Sequence, residues 1–474
     1  MATSQHEDRI PSLSSDQTTL NGRRDRHEDM TLSDEEKTGD PVTGNGIDAS
    51  DNEKTLDTLK NDQQTQKPGG PPPPPNGGLT AWLHVLGGFM LFFNTWGILN
   101  TFGIYQTYYE SGVLFRETSS NISWIGAIQA YMVLFVGFLS GPIYDRGYFR
   151  VLLAVGSFGV VFGHMMLSIS NTFWQVLLSQ GFCVGIGAGC LFVPCVAILP
   201  AYWSTKLGLA VGLAAAGSSM GGVIYPIVFY KLIDQVGFGW STRVIGFIAL
   251  ITLIIPNVVM KMRFKPPKAR ALIDWSAFTD GPYIVCVLGA MVGFIGLYVL
   301  FFYISYYGQA TGITDAAMSF YIVPILNAAS TFGRVLPNAL SDKTGPLNLI
   351  MPGALIVGIL AFCMIAVNSV GAIVVLAILL GFFSGVFIAL PPVLFVALTK
   401  DKTKIGSRIG MGFGVLGFGV LAGGPGGGAL LGDESTDLNW AGTWAYAGAT
   451  AAASGAIFLV VRVWKVGWKL KAKV

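Results

Sequence analysis

Val370 to Ala397 reads VGAIVVLAILLGFFSGVFIALPPVLFVA, 28 residues without a single charge. A helix needs about 20 apolar residues to cross the hydrocarbon layer of a membrane. A lipid-facing strand would instead alternate apolar and polar positions over about ten residues. Neither this run nor VGIGAGCLFVPCVAILP at Val184 to Pro200 alternates. Lipid offers the backbone no hydrogen-bond partners, so each such run is expected to be helical. From Trp82 onward twelve segments of this kind follow one another, at about 82–108, 123–144, 149–169, 174–199, 207–231, 241–262, 283–307, 315–338, 347–367, 370–397, 407–431 and 441–464. The expected fold class is an all-α polytopic membrane protein.

Composition agrees. Of 474 residues, 52% are hydrophobic and 12% charged, about half the charged share of ordinary soluble domains. That excludes a water-soluble enzyme. The five cysteines (Cys183, Cys190, Cys195, Cys286, Cys363) all fall in expected helices and read as packing residues rather than disulfides or metal ligands. Residues 1–78 hold 8 basic and 15 acidic residues, leaving 22 basic and 12 acidic for the rest. This acidic tail has too little apolar surface to offset the entropy of ordering, so disorder is expected. Pro71 to Pro75 close it as a stiff spacer. No basic run is interleaved with aromatics, which excludes a nucleic-acid partner.

Cations orient the chain. The odd-numbered connections carry Arg116, Lys231 and Arg243, whereas the even-numbered ones and the C-terminus carry 18 Lys and Arg. By the positive-inside rule both termini face the cytoplasm. Asn121-Ile122-Ser123 forms a glycosylation sequon on the outer side, at the mouth of the second helix and too near lipid to be modified. The longest inner connection divides the chain into a six-helix bundle at 79–262, a linker at 263–282 and a second bundle with a basic tail at 283–474.

The two bundles echo each other. Gly141-Pro142-Ile143-Tyr144-Asp145-Arg146-Gly147 follows the second segment, and Gly333 to Lys343, ending Ser341-Asp342-Lys343, closes the eighth; Asp342 lies 197 residues after Asp145. Gly181-Phe182 and Gly185 return as Gly381-Phe382 and Gly385, 200 residues on. Repeated halves with a site between them are how many secondary transporters alternate access. The Asp145–Arg146 and Asp342–Lys343 pairs are placed to latch the inner gate. Gly208, Gly212, Gly217, Gly221 and Gly222 are spaced to bring two helices into close contact. The glycine runs Gly185 to Gly189 and Gly426 to Gly428 lie at membrane depth with no Gly-Lys-Ser/Thr after them, so they are not phosphate cradles. Without a nucleotide motif, transport runs downhill or on an ion gradient.

These motifs resemble the major facilitator superfamily. Within it, Tyr202-Trp203, Lys206, Gly208-Leu209-Ala210, Gly212-Leu213-Ala214 and Ala216-Gly217-Ser218 are similar to the fifth-helix pattern of fungal monocarboxylate-transporter-like proteins. Gly77-Gly78-Leu79-Thr80-Ala81-Trp82 resembles that family's entry to helix one, with Asn76 where an acidic residue is usual. The resemblance covers about residues 76–465.

An ionisable residue inside a membrane is a functional candidate by default, and Arg334 is the foremost one here. The resemblance implies that it binds the carboxylate of a substrate. Where the family places a proton-coupling lysine and aspartate, this chain has Asn100 and Ser330, which hydrogen-bond but do not titrate near neutral pH. Asn94, Asn327 and Gln129 complete the candidate substrate contacts. Neither a metal nor a cofactor is implied. The expectation is a monomeric secondary transporter of a small organic anion or carboxylate-bearing metabolite, with proton coupling open, at the plasma membrane or alternatively the vacuolar membrane. The competing reading is a transporter-shaped nutrient sensor that signals through its tail.

Overall fold

The computed structural model describes residues 73–264, 269–432 and 437–468, apart from the side chains of Asp342 and Lys402. Most of the acidic tail, the first two prolines of the spacer (Pro71 and Pro72), the linker cations Lys265 and Lys268 and the last C-terminal lysines lie outside the described residues. Among those described, eleven helices are long and apolar enough to cross a membrane. They are α1 (Gly78–Glu110), α2 (Ser119–Asp145), α3 (Phe149–Leu167), α4 (Phe173–Ala201), a 53-residue helix (Leu207–Val259), α7 (Gly281–Ala310), α8 (Ala316–Thr344), α9 (Leu347–Cys363), α10 (Val370–Leu398), α11 (Ile405–Leu431) and α12 (Trp440–Val466).

The 53-residue helix would be about 80 Å long if straight, far beyond a hydrocarbon layer of about 30 Å. It is two arms, which we label α5 (207–236) and α6 (238–259), meeting at Gly237. That residue leaves helical geometry with φ 74° and ψ 174°, a region glycine enters without steric cost. The sequence suggested a nine-residue connection here; the helix instead persists to within one residue of the turn.

Two other helices deviate for readable reasons. Helix α1 breaks at Thr95 and Thr101, whose hydroxyls donate to the carbonyls of Leu91 and Gly97, each at 2.9 Å. Such back-bonding competes with the helical ladder and bends it. In α4 the stretch Leu177–Val184 is π-helical. Gly181 there approaches the Ile125 carbonyl of α2, while Gly159 and Gly163 of α3 face Gly187 and Val184.

Within the N-terminal half α1 packs along α5 and α6, and α4 lies against α2 and α3; in the C-terminal half α8 packs on α10, and α12 on α7 and α9. The halves meet along two long seams, α2 against α11 and α5 against α8, and also where the outer part of α1 packs on α7. Large exposed apolar side chains such as Phe158, Ile251, Val258 and Phe332 line the outside, the composition of a lipid-facing surface.

The motif that carried the family resemblance ties down the start of α1. The Trp203 indole donates to the Ala81 carbonyl at 3.3 Å, and the Tyr202 hydroxyl to the Lys261 carbonyl at 2.7 Å. The Asn76 side-chain oxygen accepts from the backbone amides of Ser204 and Thr205 at 2.6 and 2.9 Å. An acidic residue would accept the same two bonds, so the asparagine keeps the join without its charge.

Candidate functional site

Three helices converge halfway along the bundle. Of the five fifth-helix glycines, three lie in close contacts with neighbouring helices. A side chain at Gly217 would overlap the Phe89 carbonyl, Gly221 lies against Gly97 of α1, and a Cβ at Gly222 would stand within 2.9 Å of the Asn327 amide nitrogen of α8. The other two have looser surroundings. Gly208 is exposed, and Gly212 is buried but has nothing within 4 Å of where its Cβ would be.

This close approach buries Arg334, which is 3% exposed. Its Nε donates to Ser330 Oγ one turn earlier, at 3.2 Å, and its Nη1 donates to Ser218 Oγ of α5 across the seam. Its Nη2 is buried and has no hydrogen-bond partner among the described residues. Buried polar groups are normally satisfied, so such an orphan calls for an explanation. The Asn100 amide nitrogen is a second buried orphan. Asn100 and Asn327 line one small cavity with Phe301, Ile304, Val323 and Leu326. Its volume of about 10 Å³ suits roughly one water. Both orphans are donors, which is the complement of an acceptor-rich anion.

Ser330 and Arg334 are thus bonded to each other, and Asn100 and Asn327 are brought together in one cavity. Asn94 and Gln129 join neither pair. The Asn94 amide is engaged by Met90, Thr252 and Tyr225, tying α1 to α5 and α6. Gln129 is buried on the face of α2 that meets Gly185 of α4. Ser218 was read from the sequence only as part of a packing motif. No sequence signal gave its bond to Arg334, because its partner lies 116 residues away.

The end of the bundle that carries most cations is here called inner. It is shut by ion pairs, but not in the pairing the sequence suggested. Asp145 takes Arg270 of the linker as its partner: Nε to Oδ2 at 2.6 Å, Nη2 to Oδ1 at 2.8 Å, and the Arg270 amide to Oδ2 at 2.9 Å. Arg146 is exposed, as is Lys343. The Asp342 side chain is outside the described residues. The Arg270 guanidinium sits between Gly141 of α2 and Gly406 of α11, so it touches both halves. A second cluster holds the linker to α11, with Arg408 Nε 3.0 Å from Asp274, Arg408 Nη1 2.8 Å from Asp280, and Lys404 3.2 Å from Asp274. Burial pushes the Asp274 carboxyl up, but hydrogen bonds from Ser276, Arg408 and Lys404 outweigh it and hold it well below the usual carboxylate range.

The outer end differs. A vestibule of about 410 Å³ opens between the ends of α1 and α7 and the start of α12, lined by Thr107, Glu110, Ser111, Tyr306, Gln309, Ala310 and Leu438. Glu110 is 8% exposed. It was overlooked in the sequence because it stands just past the last apolar residue of its segment.

Comparison with known proteins follows this geometry. Residues 84–369 match the family model described as Major Facilitator Superfamily. The chain is 66% identical over 385 residues to the MFS-type transporter dbaD of Emericella nidulans, covering 81% of this chain and 86% of that one. It is 35% identical to the Aspyridones efflux protein apdF of the same organism, covering 75% and 73%. The crystal structure of the nucleoside transporter NupG superposes with a TM-score of 0.61 at 14% identity, over 81% of this chain and 99% of that one; at that identity the likeness concerns the fold alone. The all-helical architecture, the family match and the relatives agree: the chain is a multi-pass membrane protein that belongs to the major facilitator superfamily of transporters.

Proposed function

We propose that this protein is a secondary transporter that exports a small organic anion or carboxylate-bearing metabolite by rocker-type alternating access, in the manner of the monocarboxylate-transporter-like branch. The observation that carries this reading is the Arg334 Nη2, a charged donor buried without a partner where α1, α5 and α8 meet. A guanidinium in low-dielectric surroundings gains most from a bidentate oxyanion. Asn100 and Asn327 supply neutral contacts in the small cavity earlier along α8. The cavity between them is too small for cargo, so cargo enters when one seam parts.

Twelve crossings with both termini cytoplasmic belong to the same reading. They are supported by the hinge at Gly237 and by the excess of cations on one side. Export is favoured by the relatives, one of which is named for efflux.

The test is paired metabolite profiling of medium and cell extract from strains with and without the gene. Export predicts a compound lost from the medium and accumulated inside when the gene is deleted. Slower consumption of a medium component would reverse the direction. No change in either pool would sink the export reading in favour of the sensor.

A further inference from the structure

Among the described residues three carboxylates are buried: Glu110, Asp145 and Asp274. The last two are paired with arginines at the inner end. Glu110 lies at the other end, in the wall of the outer vestibule, where water reaches it from outside. We propose that Glu110 is the outer proton-binding site of the transport cycle, and that its protonation state sets whether the outer end closes. This rests on the transporter reading and adds the coupling ion and the group that takes it up.

The surrounding hydrogen bonds suit both protonation states. Gln106 Nε2 donates to Glu110 Oε1 at 2.6 Å, and Ser119 Oγ donates to Oε2 at 2.8 Å. An amide and a hydroxyl each donate or accept after a rotation. The Gln106 carbonyl oxygen is buried and has no partner among the described residues. A proton arriving from the vestibule binds the carboxylate; turning the amide about its last bond then lets that orphan oxygen accept the new O–H.

The same network crosses from one half to the other. Ser119 is the first residue of α2, and its carbonyl accepts from the Tyr303 hydroxyl of α7 at 3.1 Å. Tyr303 also reaches the Gly424 carbonyl of α11 at 3.2 Å, and Ser120 Oγ donates to the Pro425 carbonyl at 3.1 Å. Glu110 is therefore two bonds away from the outer part of the α2–α11 seam. A proton that changes what Ser119 must do changes the fit of α2 on α11. Titratable groups on the described elements packed around the end of α1 include Tyr105, Tyr108 and Tyr109 on its own helix, Arg116 and Glu117 in the connection to α2, Asp234 of α5, Tyr303, Tyr306 and Tyr307 of α7, Asp315 and Tyr321 at the start of α8, and Asp437 before α12. The tyrosines stay neutral over the range concerned, and Arg116, Glu117, Asp234, Asp315 and Asp437 are exposed, so solvent screens them.

The experiment is peptide-resolved hydrogen exchange on the full chain in nanodiscs, at about pH 5.5 and about pH 8, with labelling times rescaled for intrinsic exchange. If the open and closed outer ends differ by one unit in their affinity for the proton, the opening equilibrium shifts roughly tenfold. Wild type is expected to show that shift at residues 102–123 and 303–310 but not at 404–411. E110Q, a neutral carboxamide, is expected to give the low-pH exchange at both pH values, and E110D to keep the dependence. No pH dependence in wild type, or an unchanged dependence in E110Q, overturns the proposal. Should E110Q fail to fold, E110D decides, because a midpoint identical to wild type overturns the assignment and a displaced one supports it. The assay needs no cargo, so its failure leaves the transporter reading standing. An unchanged metabolite profile on gene loss would in turn defeat transport without touching the exchange result.

Discussion

At the inner end two arginines and a lysine bind three carboxylates across the linker, α2 and α11. At the outer end the halves meet through neutral groups: the Tyr303 hydroxyl on the Ser119 carbonyl, the Ser120 hydroxyl on the Pro425 carbonyl, and the Tyr230 ring 4.7 Å from that of Phe320 across the α5–α8 seam. The contrast bears on how each end opens. Ions released when these contacts part regain hydration, which offsets part of the loss of each pair and makes the parting depend on salt. Aromatic and carbonyl contacts regain much less from water when they part. The inner end is thus built as a charged latch sensitive to its surroundings, and the outer end as a packed seam with one carboxylate in its wall.

The largest effect is expected in the layer that both ends serve. Arg334→Ala removes the charged donor and leaves Ser218 and Ser330 without their partner. A hydrogen bond to a charged group is worth about 1.5–3 kcal/mol, so export of the metabolite found by profiling should fall at least about tenfold at unchanged protein level. Arg334→Lys should not restore it, since a lysine lacks the planar fork. Export equal to wild type in either variant would remove Arg334 from the cargo site, leaving the two ends with nothing to alternate around.

The α5–α8 and α5–α1 contacts between the two ends come next. Gly217→Ala forces a methyl group into the Phe89 carbonyl, whereas Gly212→Ala enters open space. Overpacking costs typically about 1–3 kcal/mol, and alanine is the better helix former by about 1 kcal/mol. The first variant should therefore lower the melting temperature by several degrees and the second should keep or slightly raise it. Equal losses in both would mean that the glycines act through backbone flexibility rather than close approach.

Much of this architecture was legible in the chain. Twelve apolar runs, the 197- and 200-residue repeats and the cation asymmetry each report a one-dimensional property, and those survive without coordinates. What was hidden depends on distance through space. Arg270 looked like one more linker cation, because its carboxylate lies 125 residues earlier. Arg146 looked like the natural partner of Asp145 because it is adjacent, yet at the end of α2 the adjacent side chain points away to solvent. Glu110 was missed because it was read as the end of a hydrophobic segment, and only the fold reveals that it lines a cavity. Ser330 and Asn100 were found because a family pattern drew attention to those positions, whereas Ser218 was assigned to packing and proves also to hold Arg334.

The inner latch offers a more modest test. Asp145→Asn removes the charge that Arg270 holds in three contacts. Freed of it, α2 and α11 should part more readily at their inner ends. The readout is a thiol introduced by Ser407→Cys, at a buried position whose native hydroxyl bonds to the Ala271 carbonyl. In inside-out vesicles its labelling by an impermeant thiol reagent, read peptide by peptide, should rise several-fold, up to about tenfold for a coupling of about 1.4 kcal/mol. Raising salt should produce part of the same rise in the parent protein and little further in Asp145→Asn. If salt and substitution both leave the introduced thiol unlabelled, the inner end is held by packing after all, and the contrast with the outer end disappears.

The smallest effect concerns the second inner cluster, and its sign follows from Asp274. Its carboxyl titrates below the ordinary range in the folded protein because Ser276, Arg408 and Lys404 hydrogen-bond the charged form against the opposing effect of burial. A carboxyl with a depressed folded value contributes stability that is present above its unfolded value, near 4, and is lost as the pH falls through the folded one. Asp274→Asn should therefore melt lower than the parent at pH 7, and the gap should narrow only once the pH drops below about 4. Asn retains an acceptor for Ser276 but leaves Arg408 with Asp280 alone, so the gap at neutral pH should be a degree or two rather than a collapse. A gap that stayed constant down to acid pH would mean that Asp274 acts by shape, and that the charge at this end resides in the Asp145–Arg270 pair.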